Sequence, residues 1–157
     1  MHNLRSHSTI EEALNQAVTE CWDFLDFEDL EEHGGIILHN KNTGEYLFQY
    51  LFNSNSGTPI ANGLYTADRY QYTELIIPLF SKGWRQYASF HTHPSFSPRP
   101  SSIDLNQLFV GFFNNYIYSG LNKELIKYTW RDPKDPSQGI NSEKIIINSI
   151  TTQNVQP

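Results

Sequence analysis

Apolar residues recur at helical spacing over Ile10, Ala13, Leu14, Ala17, Val18, Cys21 and Trp22, which predicts one buried stripe on a helix from about residue 9 to about residue 25. Ser8-Thr9-Ile10-Glu11 has the form of a capping box at its start, with Ser8 as the cap and Glu11 reaching back. The period then changes. Gly35-Ile36-Ile37-Leu38-His39 reads as a short buried strand, Asn40 to Gly44 as a turn, and Tyr46 to Tyr50 as the returning strand of a hairpin. Residues 53–63, rich in Asn, Ser and Gly, read as a loop. Residues 64–82 are ambiguous, and Tyr70 to Phe80 fits either a helix interrupted at Pro78 or a strand with an irregular end.

The second half continues as a mixture. Arg85 to His93 reads as a strand that runs into Pro94, and Pro94, Pro98 and Pro100 impose a stiff, extended loop. Ser101 to about Asn115 reads as a second helix, with Leu105, Leu108, Phe109, Phe112 and Phe113 on one face. Tyr116 to Ser119 and Leu125 to Trp130 read as strands, Asp132 to Gly139 as a turn, and Lys144 to Ile150 as a last strand. The ends, 1–8 and 152–157, read as loose tails around a core of about 9–150. There is no internal repeat and no regular strand-helix alternation. The order predicts an α+β fold, a mixed central sheet flanked by helices, in a single domain over 1–157.

Composition narrows the function classes. Aromatics are 14% of the chain, so the core is expected to lean on Phe and Tyr. The net charge is −6 and the 11 Lys and Arg are scattered, which argues against a nucleic-acid partner. Cys21 is the only cysteine, so neither a disulfide framework nor a cysteine-based zinc site is available. No secretory h-region or membrane-length apolar run is present. The expectation is a cytoplasmic protein that does not enter a membrane, and a secreted effector is also compatible.

The chemistry concentrates in two stretches. Residues i and i+2 of a strand point to the same side, so His91 and His93 present two imidazoles to one point. Imidazole nitrogen is a favoured zinc ligand. Ser101-Ser102-Ile103-Asp104 then opens the second helix, and with Ser101 as the cap Asp104 falls in the first turn, where the helix dipole favours its ionised form. Asp104 is the expected third ligand, and the fourth position is left for water, whose pKa zinc lowers to about 7. Glu32, just before the Gly35–Leu38 strand, is the expected general base. The Ser101 hydroxyl can donate to an oxyanion.

His91-x-His93, seven residues, Ser101, two residues, Asp104 resembles the signature of the JAMM (JAB1/MPN/Mov34) metalloproteases, without a gap. Glu32, followed by Gly34-Gly35 and an apolar run, is similar to that family's upstream glutamate element, and the Glu-His-Gly-Gly and His-Thr-His-Pro forms look most like the bacterial JAB-like branch. The resemblance covers roughly residues 10–130. It implies a cytidine-deaminase-like sheet between helices and one Zn2+ held by His91, His93 and Asp104. It also implies hydrolysis of a peptide or isopeptide bond, often after the C-terminal tail of a ubiquitin-like protein. Two departures stand out. Glu31 and Glu32 both precede the glycines, and counting back from Gly35 selects Glu32 while counting from Gly34 selects Glu31. The stretch from Asn53 to Phe80 exceeds a minimal connection and suggests a segment that grips substrate.

Blander readings stand beside these. A His-x-His pair alone is weak, Ser101 and Asp104 are also a plain helix start, and Glu31-Glu32 could continue a solvated acidic run with Glu28 and Asp29. His33 and His39 read as bystanders, and Cys21, Trp84 and Trp130 as core. The competing functions are a non-enzymatic JAB-like scaffold and a toxin-associated or DNA-repair-associated domain of the same type.

Overall fold

The computed structural model describes residues 5–23, 31–58, 65–94, 114–120 and 122–147. Ten elements follow in order: β1 (Ser6–His7), α1 (Ile10–Val18), β2 (Gly34–Asn40), β3 (Tyr46–Leu51), α2 (Arg69–Gln71), α3 (Ile77–Phe80), β4 (Trp84–His93), β5 (Asn114–Ser119), β6 (Glu124–Trp130) and β7 (Ile140–Ile145). Helix α1 continues as a π-helical turn over Thr19–Asp23, and a second π-helical stretch, Tyr72–Ile76, joins α2 to α3. The seven strands form one sheet in the order β1-β3-β2-β4-β5-β6-β7. Among the described strands only β4 and β5 run parallel, so the sheet is mixed and the fold is α+β as expected. No described helix is long and apolar enough to cross a membrane.

The two faces of the sheet separate by the alternation of side chains along each strand. On one face Ile37, Phe48, Ala88, Phe90, Tyr116 and Tyr118 pack against Ala13, Leu14, Ala17, Val18 and Cys21 from α1 and its π-helical extension. On the other, Ile36, Leu38, Leu47 and Leu51 pack against Ile76 and Leu79. Trp84 and Trp130 border apolar clusters, in line with a core role.

Several local expectations shift. The cap of α1 is Thr9: its hydroxyl accepts from the Glu12 amide at 3.2 Å, and Glu12 accepts from the Thr9 amide at 3.2 Å. Two overlapping boxes fit the sequence equally, and Thr9 is the residue that keeps extended backbone before the helix. Residues 6 and 7 are not a loose tail, because they pair with Leu47 and Tyr46 on the edge of β3. The 64–82 ambiguity resolves as helix over 69–80, with the Asp68 carboxylate accepting from the Tyr70 and Gln71 amides. The last described strand is Ile140–Ile145, earlier than the expected Lys144 to Ile150, of which 148–150 lie outside the described residues. The turn after β6 sets Ile140 opposite Trp130, and the polar side chains from Asn141 to Lys144 are exposed. Strand β5 begins at Asn114, so a helix from Ser101 cannot extend to Asn115. The rest of that predicted helix, with Ser101, Asp104, Leu105, Leu108, Phe109, Phe112 and Phe113, lies outside the described residues, as do 24–30 and 152–157.

Candidate metal centre

Strands β2 and β4 bring the histidines and the glutamate to one place. Their antiparallel register pairs Gly34 with His91 and Gly35 with Phe90. Beyond the paired residues the main chains stay joined, since the Thr92 amide donates to the His33 carbonyl at 2.8 Å. Glu32 therefore falls beside His93, on the face that carries Ile36 and Leu51. Opposite neighbours in such a pair share a face at about 4.5–5.5 Å between Cβ atoms. Gly34 is what lets the strands close here. A Cβ on it would stand 2.2 Å from the Phe90 carbonyl oxygen and 2.9 Å from the His91 Cβ. Gly35 is restricted on the other face, where a Cβ would come within 2.2 Å of the Gln49 carbonyl oxygen.

All three side chains are buried: Glu32 is 1% exposed, His91 7% and His93 1%. The two Nε2 atoms of His91 and His93 face each other at 3.2 Å, and Glu32 Oε2 lies 3.7 Å from His93 Nε2. Among the described residues these three form a group whose donor atoms all lie within 4.8 Å of one another, so together they could hold a metal ion. The spacing fits a divalent cation. Two nitrogens each about 2.0–2.1 Å from one tetrahedral centre stand about 3.3–3.4 Å apart. A carboxylate and two imidazoles gathered out of water also need a compensating charge or hydrogen bonds.

The surroundings hold the three in place. The ring of Tyr65 lies parallel to that of His91, 6° between planes and 6.2 Å between centroids, and its hydroxyl donates to the Leu51 carbonyl at 2.7 Å. Burial pushes the Tyr65 phenol well above its usual pKa, so it remains a neutral donor. The His93 carbonyl accepts from the Gly120 amide at 3.0 Å. The Asn53 amide donates to the Glu32 carbonyl at 2.9 Å.

The geometry separates the two neighbouring glutamates. Glu32 faces the histidines, whereas the Glu31 carboxylate accepts from the Ser56 hydroxyl and the Gly57 amide, each at 2.7 Å. His33 faces the opposite side of the sheet, where its Nδ1 stands 2.9 Å from the Tyr50 hydroxyl. His39 lies against Tyr46, 4.6 Å between ring centroids and away from the cluster, so neither joins it. Ser101 and Asp104 are outside the described residues. Sequence reasoning did not single out Asn53 or Tyr65. Asn53 comes from a stretch of ordinary loop composition and Tyr65 from the ambiguous stretch after it, and no local signal marks them.

Comparison with known proteins adds a family. The model of the prokaryotic homologs of the JAB domain matches residues 15–131. Protein DSY2949 from Desulfitobacterium hafniense is similar in structure, with a TM-score of 0.57 and 17% identity over 86% of each chain. AF2198, a JAB1/MPN domain protein from Archaeoglobus fulgidus, aligns at a TM-score of 0.42 and 17% identity, over 88% of this chain and 91% of its own. No curated protein matches the chain.

Proposed function

We propose, since this chain belongs to the prokaryotic homologs of the JAB domain, that it is a zinc-dependent peptidase or isopeptidase. The observation that carries the reading is the buried convergence of Glu32, His91 and His93 at the carboxyl end of β4. His91 and His93 would hold the cation, with Asp104 as a third donor. The chain leaves β4 at that same end, and the 94–113 connection to the parallel β5 carries both Ser101 and Asp104. Zinc, when bound, supplies Lewis acidity that brings a water's ionisation near pH 7.

The residues of the chain then divide the work. Glu32 takes the proton from the attacking water onto a carboxylate oxygen and passes it to the departing amine nitrogen. Its burial keeps that proton from leaking to solvent. The Ser101 hydroxyl donates to the oxygen that gains charge as the carbonyl carbon becomes tetrahedral. The substrate is an extended protein tail, and the family resemblance points to the C-terminal tail of a ubiquitin-like protein.

The test is a panel of ubiquitin-like fusions assayed for cleavage that stops on chelation and returns with zinc. Glu32→Gln should lower turnover by about 10²–10⁴-fold while about one zinc per chain remains, because a general base contributes on that order. Cleavage unaffected by exhaustive chelation would refute the reading.

A further inference from the structure

The peptide group that joins Glu32 to His33 is held at both of its polar atoms by buried side chains. Its carbonyl accepts from Asn53 Nδ2 at 2.9 Å, and its amide donates to Thr92 Oγ1 at 3.1 Å. Asn53 is 1% exposed and Thr92 0%. The orientation of the Asn53 amide is forced, because its Oδ1 accepts from the Asn55 amide at 3.0 Å and the Thr66 amide at 3.3 Å, which leaves only the NH₂ for Glu32. Asn53 thus ties both limbs of the loop after β3 to the residue that faces the histidines. A second tie runs beside it, from Ser56 and Gly57 to the Glu31 carboxylate. This arrangement sits where the β2–β4 pairing ends, two residues before Gly34.

We propose that Asn53 and Thr92 are positioning residues that clamp the Glu32–His33 peptide plane and thereby aim the Glu32 carboxylate at the cation site. The inference rests on the metal-centre reading above. With its following peptide plane fixed, Cβ of Glu32 keeps only rotation about the Cα–C bond, and the carboxylate needs less reorganisation to reach a water that a bound cation would hold. Without the clamp, the Glu32–His33 peptide group loses its two side-chain partners and Glu32 samples other directions. The loop after β3 is then a brace for the centre.

The test uses Co²⁺ as the probe metal on the intact chain, with affinity read by competition against a chromogenic chelator and folding checked by circular dichroism. Asn53→Ala and Thr92→Val should each weaken Co²⁺ binding by about 10-fold, at the lower end of what outer-shell partners contribute. Thr92→Ser keeps the hydroxyl and should bind as the parent does. In a Glu32→Gln background Asn53→Ala should change affinity by less than about 2-fold, because the clamp acts through that carboxylate. Equal losses in both backgrounds, or Thr92→Ser binding as weakly as Thr92→Val, would overturn the inference. If Asn53→Ala does not fold, the Thr92 pair decides alone. A parent chain that takes up no stoichiometric Co²⁺ would end the metal-centre reading itself, and the clamp with it. A parent that binds one equivalent, with Asn53→Ala unchanged, ends the clamp alone.

Discussion

At the scale of single residues, the cluster depends on two glycines as much as on its donors. Gly34 sits opposite His91, where any side chain would meet the backbone of β4. Gly34→Ala should therefore push the two strands apart, cost roughly 1–3 kcal/mol or more, and lower cation affinity together with stability. Denaturant unfolding and metal titration on the same variant check this, and a variant that binds metal normally would remove the role given to Gly34. Glu32 was set apart from Glu31 only by counting back from Gly35, whereas His91 and His93 were legible in the sequence because strand period aims them at one point. Asn53 and Tyr65 were not. Asn53 reaches Glu32 from 21 residues away, and Tyr65 reaches His91 from a loop that shows no periodicity.

At the scale of elements, the start of α1 offers a pH-dependent test. Hydrogen bonds from the Ser8 and Thr9 hydroxyls hold the Glu12 carboxyl below its usual value. A carboxylate with a lowered folded pKa adds stability above its unfolded pKa, and that stability is lost as pH falls through the folded value. Thermal unfolding followed from neutral to acid pH should therefore show the parent losing an increment that Glu12→Gln lacks throughout. The two curves should converge below the ordinary glutamate range. Parallel curves would mean that the ionised Glu12 carboxylate adds nothing. Thr9→Ala should cost about 0.5–2 kcal/mol at neutral pH, whereas the same change at Ser8 should cost less, since Thr9 is the cap. Helix α1 was readable because one amphipathic stripe determines it. Strands β1 and β7 were not, because a two-residue strand and a polar edge strand exist only through the neighbours they pair with.

At the scale of the whole molecule, the cluster joins two strands of the sheet and stands beside the loop after β3, so cation binding should stabilise the fold as a unit. Ligand at 100 times its dissociation constant adds about 2.7 kcal/mol. In a chain of this size each kcal/mol moves Tm by about 2–4 °C. Zinc should accordingly raise Tm by about 5–10 °C and a chelator should reverse it. His93→Ala should abolish the response, and a zinc-induced rise that survives in His93→Ala would place the cation elsewhere. The parallel β4–β5 pair also has a consequence at this scale. It starts the connection that contains Ser101 and Asp104 from the end of the sheet where Glu32, His91 and His93 meet.

The amino-acid order alone determined the class of fold, the hairpin of β2 and β3, the strand that carries both histidines, and the type of chemistry those histidines can do. Each follows from short-range rules of period, turn chemistry and ligand preference. Tertiary structure brought Glu32 rather than Glu31 to the histidines, and assigned the two edge strands among the described residues. Those outcomes depend on which backbone groups meet across the sheet, and local spacing does not encode such meetings.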